Sequence, residues 1–148
     1  MKHHMLKPVV LTGDRTTGPL HLGHYAGSLK SRIGLQDTHR QFLLRDAQAL
    51  TDNAQDPEKL RRNVLEVAFE YLAVGIDPAK TTICLQSALP ALAELSMLYL
   101  NFVTVARLER NPTIKDEIRA RGFGRDISAG FLCYPVAQAA DITAFKAK

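Results

Sequence analysis

The stretch from Gly18 to Leu29, GPLHLGHYAGSL, places two imidazoles, His21 and His24, on either side of Gly23. Residues three apart on a helix share a face. A helix N-terminus exposes unpaired N–H groups and positive partial charge, which suits an anion. Imidazoles on that face donate to phosphate oxygens, and donate more strongly as charge builds in a transition state. Glycine costs a helix interior about 1 kcal/mol relative to alanine, so its place between the rings asks for a reason. With no side chain at Gly23, a flat ring such as adenine can lie against the helix backbone. These residue types therefore suit phosphate and nucleotide binding; a surface helix carrying two incidental histidines is the plain alternative.

The elements that must position them follow from hydrophobic patterning. KPVVLTG, closed by Gly13, reads as a buried strand, and DRTTG as a loop. A helix then opens at Gly18 and Pro19, with Pro19 at the first helical position, where its missing N–H costs nothing. RQFLLRD reads as a second strand and TTICLQS as a third. Between them DPEKLRRNVLEVAFEYLAVGID predicts a helix capped by Asp56, led by Pro57 and Glu58 and stopped at Gly75. Its apolar face is expected from Leu60, Val64, Val67, Ala68, Tyr71 and Leu72. Strand, helix, strand, helix, strand argues for an α/β fold with a parallel sheet and covering helices.

After Pro90, ALAELSMLYLNFVTVARLE is apolar nearly all round and is expected as one helix, buried in the core or at a subunit contact. RNPTIKDEIRARGFGRD reads as a loop and a short helix. SAGFLCYPVAQAAD reads as an apolar helix with Pro135 as a kink. If VVLT is a central strand, its second neighbour is expected from sequence beyond residue 148.

Composition bounds the class. The 148 residues, 46% hydrophobic and 23% charged, are those of an ordinary globular domain with a core of its own. No run approaches the roughly 20 apolar residues that span a bilayer, and the first residues lack the apolar segment of a secretory leader. Residues 1–6 read as disordered or tag-derived. Cys84 and Cys133 form no CxxC pair, so a reducing cytoplasm is expected, with both as small core hydrophobes. The net charge of +4 is compatible with a nucleic-acid or nucleotide partner and demonstrates neither.

TTGPLHLGHYAGSL resembles the HIGH signature of the class I aminoacyl-tRNA synthetases, with His21-Leu22-Gly23-His24 as the motif. TGDRTTGPLHLGHYAGSL, ALTDNAQDPEKLRRNV, YLAVGIDPAKTTICLQS, LERNPTIKDEI and YPVAQAADI are similar, in order and spacing, to the bacterial tryptophanyl-tRNA synthetases. The resemblance implies the N-terminal part of a Rossmann-type catalytic domain over 1–148, truncated before the later strands. It implies a homodimeric cytoplasmic ligase that activates L-tryptophan with Mg2+-bound ATP and transfers it to tRNA(Trp), with no metal site of its own and no membrane. His21 and His24 would then be catalytic, as charge stabilisers rather than bases, since a carboxylate nucleophile needs no deprotonation. Gly13, Arg15, Thr16, Thr17, His21, Gly23 and His24 would bind ATP. Asp141, by itself a helix-end or capping aspartate, would receive the indole N–H. Tyr134, Gln138 and Gln48 would complete the amino-acid pocket.

Two departures qualify the resemblance. Gln138 stands where many tryptophan enzymes carry methionine, and Tyr134-x3-Gln138-x2-Asp141 resembles the tyrosyl enzymes, which keeps tyrosine as an alternative. The later GED-type ATP contact and the KMSKS loop are not in this sequence, so weak or no activity is expected of the chain alone. Arg107, Arg110, Lys115, Arg119, Arg121 and Arg125 could face a tRNA acceptor end, but interleaved acids suggest a salt-bridged surface. Other readings are a small nucleotidyltransferase of the pantetheine-phosphate type, whose Ser/Thr-rich phosphate loop is not found here, and a non-catalytic truncated paralogue that binds a ligand or partner.

Overall fold

A computed structural model describes residues 7–43, 46–123 and 126–147; the expectation for residues 1–6 lies outside them. Three parallel strands, β1 (Val9–Thr12), β2 (Arg40–Leu43) and β3 (Thr81–Ile83), form one sheet in the order β1-β2-β3. Val9 pairs with Arg40, and Gln41 with Thr81. β1 is an edge of this sheet, and its four residues are half-buried rather than buried as expected.

From β1 the chain enters α1 (Leu22–His24), a π-helical turn (Tyr25–Leu29) and α2 (Lys30–Leu35) in one helical run. Helix α3 (Leu50–Asn53), preceded by a 3-10 turn at Ala47–Ala49, and helix α4 (Pro57–Ala73) lead to β3. Asp56 caps α4 by accepting from the Lys59 N–H at 2.9 Å, and Gly75, at φ 102°, ends it in a conformation that suits glycine. The inward face of α4 is Leu60, Asn63, Val67 and Tyr71. Leu72, expected there, is 47% exposed, whereas Asn63 faces the core and donates to the Thr16 carbonyl at 3.0 Å. Leu29, Val67, Tyr71 and Ile76 form the core on this side of the sheet.

Helix α5 (Pro90–Leu100) and helix α6 (Val105–Glu109) replace the single helix expected after Pro90. Thr104 adopts an extended backbone and its hydroxyl accepts from the Arg107 N–H at 3.3 Å, which starts a new helix. Nor is this segment buried all round: Leu92 is, whereas Met97, Leu98, Phe102 and Val105 are exposed. Helix α7 (Pro112–Arg121) begins at an Asn111 cap and ends at Gly122 in the left-handed region. Helix α8 (Ala129–Phe145) begins at a Ser128 cap and keeps Pro135 inside it. It packs along α5 and against β1, with Phe145 on Phe42 at 4.7 Å between ring centroids. Ile114, Phe131 and Tyr134 form a second core where α7 meets α8.

Candidate active site

The loop after β1 is tied down by a buried charge network. Asp14 receives Arg32 bidentately at 2.6 and 3.3 Å and the Tyr71 hydroxyl at 2.8 Å, while its own N–H donates to the Tyr71 oxygen at 3.1 Å. Both charged side chains are under 10% exposed. Burial, with the Asp14 carboxylate beside it, pushes the Tyr71 phenol up to about 12. The backbone entering the histidine segment is therefore clamped to α2 and α4.

The helix itself starts three residues later than expected: His21 is the N-cap, so Pro19 lies in the loop. The Leu20 N–H just before the cap donates to Glu70 at 2.8 Å. Two imidazoles make a reciprocal capping box. The Gly23 N–H donates to Nδ1 of His21 and the His21 N–H donates to Nδ1 of His24, each at 3.1 Å, with ring centroids 4.0 Å apart. The Gly23 N–H at this helix N-terminus is thus already paired. With both Nδ1 atoms accepting, Nε2 of each ring is left as its N–H donor. Gly23 also has a local reason: a Cβ there would stand 2.8 Å from Cε1 of His21.

Arg15 lies across from α7. Its guanidinium pairs with Glu117 at 3.4 Å and sits 5.8 Å from the Tyr134 ring centroid. Thr16 is buried and its hydroxyl has no hydrogen-bond partner among the described residues; Gly13 and Thr17 are half-buried in the same loop.

A cavity of about 400 Å³ opens between α5, α8 and the turns after β2 and β3. Leu92, Met97, Leu100, Val136 and Ala137 give it apolar walls. Its buried acid is Asp141, whose Oδ2 accepts from Nε2 of Gln86 at 2.7 Å and of Gln48 at 3.3 Å. The Gln86 Oε1 in turn receives the Gln48 N–H at 3.4 Å. Tyr134 lines the same cavity, so Asp141, Gln48 and Tyr134 share one pocket. Gln138 is half-buried and is not among the described residues lining it.

Gln86, Glu117 and the Asp14–Arg32–Tyr71 network escaped sequence reasoning. One signal could have found Gln86: in open parallel sheets ligands sit beyond the carboxyl ends of strands, and the loop of Arg15, Gln48 and Gln86 follow β1, β2 and β3 in turn. Glu117 sits in a mixed-charge stretch that reads as a salt-bridged surface.

Neither cysteine is a core residue: Cys84 and Cys133 are half-buried and unpaired as disulfides, and Cys133 lines the cavity. Burial, aided by Asp46, raises the Cys84 thiol. Among the described residues no group of three or more His, Cys, Asp or Glu is placed to hold a metal, and no helix is long and apolar enough to cross a membrane. Arg119 pairs with Asp116 at 3.6 Å on the surface, as the interleaved acids suggest, whereas Arg107 and Arg110 border a groove beside Asn111 and Pro135. Arg125 and the side chain of Arg121 lie outside the described residues.

Three parallel strands with covering helices form a partial Rossmann-like domain, with a capped histidine pair after the first strand and a buried acid beyond the sheet. A family model described as tRNA synthetases class I (W and Y) matches residues 5–148, and the chain belongs to that family. It is 62% identical over 146 residues to the tryptophan–tRNA ligase of Clostridium longisporum, covering 97% of this chain and 43% of that ligase. With the tryptophan–tRNA ligase of Streptococcus pneumoniae (TIGR4) the identity is 61%, with the same coverage. The chain thus spans less than half the length of these relatives. A solved tryptophanyl-tRNA synthetase of Campylobacter jejuni, complexed with ADP and tryptophan, superposes with a TM-score of 0.81 at 38% identity, covering 90% of this chain and 41% of that one.

Proposed function

We propose that this chain forms the tryptophan pocket and the first part of the ATP site of a cytoplasmic tryptophan–tRNA ligase. The observation that carries the reading is the buried Asp141 carboxylate in a mostly apolar cavity, held by two glutamine amides. Indole offers one donor and no acceptor, so an acceptor-only carboxylate complements it. Phenylalanine has no donor to offer that carboxylate and is disfavoured. The relatives' names and the tryptophan-bound neighbour support the same substrate. Tyrosine also carries a donor, but Gln138, part of the spacing that pointed to it, lies outside the cavity lining.

The proposed first step is attack of a tryptophan carboxylate oxygen on the α-phosphorus of ATP. An oxygen–phosphorus bond forms in line as the bond to the β-phosphate oxygen breaks, and pyrophosphate leaves with the electron pair. No proton need move, so the protein's task is position and charge. The Nε2–H groups of His21 and His24 donate to phosphate oxygens, and Gly13, Arg15, Thr16 and Thr17 line the triphosphate. A flat base lies on Gly23 once the His21 ring swings off it. Mg2+ enters as the counter-ion of ATP and belongs to the substrate. Transfer of the aminoacyl group to tRNA(Trp) follows in the whole enzyme. A second copy of the chain covers the exposed Met97, Leu98, Phe102 and Val105 in a homodimer.

The test uses the absence of tryptophan from the chain. L-Tryptophan fluorescence titrated against the protein should show saturable binding, lost in Asp141→Ala and resistant to L-tyrosine and L-phenylalanine. Displacement by tyrosine at lower concentration would reassign the substrate, and no binding would remove the pocket.

A further inference from the structure

Glu117 connects the loop after β1 with Tyr134, a residue of the cavity wall. From α7 its Oε1 reaches Nη2 of Arg15 at 3.4 Å, in the loop after β1, and the Tyr134 hydroxyl at 3.5 Å, on α8. Arg15 also lies over the Tyr134 ring. Glu117 Oε2 is shielded from solvent with no hydrogen-bond partner among the described residues. A desolvated carboxylate oxygen without a donor is costly and calls for an explanation. A fixed anion short of donors is a seat for a second cation.

The Arg15–Glu117 pair is a single long contact with both side chains 27% exposed. Water screens such a pair, and a triphosphate, with more charge and more acceptor oxygens, draws the guanidinium away. Glu117 would then be left uncompensated beside Tyr134. A free amino acid brings the missing cation in its α-ammonium. Tyr134 and Asp141 are two turns apart on α8, about 10 Å along the helix axis, and both line the cavity. Indole on Asp141 therefore directs the ammonium toward Tyr134 and Glu117.

We infer that Glu117 is a positioning residue that exchanges cations: it holds Arg15 while the site is empty of ligand, and takes the substrate ammonium when Arg15 moves to the phosphates. Tryptophan and ATP then favour each other's binding. This rests on reading the cavity as the tryptophan pocket.

The experiment measures the Kd of tryptophan by its fluorescence with and without saturating ATP. It repeats this with tryptamine, which keeps the ammonium, and with indole-3-propionate, which lacks it. ATP should tighten tryptophan and tryptamine about fivefold or more, within the usual range of such couplings, and leave indole-3-propionate unmoved. Glu117→Gln, nearly the same shape, should bring the ratio close to one; Glu117→Asp, which keeps the charge, should retain part of it. Asp116→Asn, on the exposed neighbour, should leave it intact. An undiminished ratio in Glu117→Gln, or equal coupling for indole-3-propionate, overturns the charge exchange. If ATP and tryptophan both bind but independently, the exchange alone falls; if ATP binds and tryptophan does not, the pocket reading falls and takes this inference with it.

Discussion

Gln86 and Asp141, 55 residues apart in sequence, meet through a 2.7 Å hydrogen bond from Nε2 to Oδ2 in the buried end of the cavity. The bond ties the turn after β3 to the middle of α8, and Gln48 makes a second, longer one from the turn after β2. Replacing Gln86 by Leu removes a donor from a buried acid, which costs about 1–3 kcal/mol. Thermal unfolding should show the lower midpoint. Tryptophan affinity should fall as well, because the carboxylate is no longer held in one orientation; an unchanged affinity would show that Gln48 alone suffices.

Asp14 and Arg32 test what the clamp on the loop after β1 contributes. Asp14→Asn leaves a buried guanidinium without its counter-charge, and breaking a buried pair from one side costs about 3–5 kcal/mol. The double variant Asp14→Asn with Arg32→Met carries no unpaired charge and should recover part of the loss. Urea unfolding of the two variants checks this, and equal losses would mean that the hydrogen bonds, not the charge, dominate.

Tyr71 gives the stability curve a high-pH edge. Its phenol is raised from the usual 10 to about 12, first by burial and then by Asp14. The folded state holds the proton more tightly than the unfolded one, so the contribution is complete below pH 10 and is lost as pH rises through 12. Its size is roughly 3 kcal/mol. Absorbance at the phenolate band should show one tyrosine titrating late, and Tyr71→Phe should remove both that phase and the associated loss of stability.

Gly23→Ala separates folding from nucleotide binding. Alanine contributes up to about 1 kcal/mol of helix propensity, but its methyl would collide with the His21 ring and displace a cap worth about the same. The melting temperature should move little while ATP affinity drops, as calorimetry would show. Unchanged ATP affinity would mean that neither the ring position nor the open glycine face matters to the nucleotide.

Local signals were legible in proportion to how local they are. Asp56, Pro57 and Gly75 bracket α4 as read, because capping and left-handed backbone depend on a few adjacent residues. Pro19 misled, since a proline before a helix is as much at home in the preceding loop; what starts α1 is the reach of two imidazoles to nearby N–H groups. The break at Thr104 was hidden because an apolar run around a threonine looks continuous when neighbours on other elements are not in view.

By itself the sequence determined the alternation of strands and helices, the histidine pair around Gly23 after the first strand, and the family resemblance that nominated Asp141. These rest on periodicity, turn chemistry and motif, which act over a few residues. Only the tertiary structure decided that Gln86 and Gln48 hold that aspartate, that Asn63 rather than Leu72 faces the core, and that Glu117 spans Arg15 and Tyr134. Each is a contact between residues tens of positions apart, made when parallel strands bring their carboxyl ends together, and no local preference encodes it.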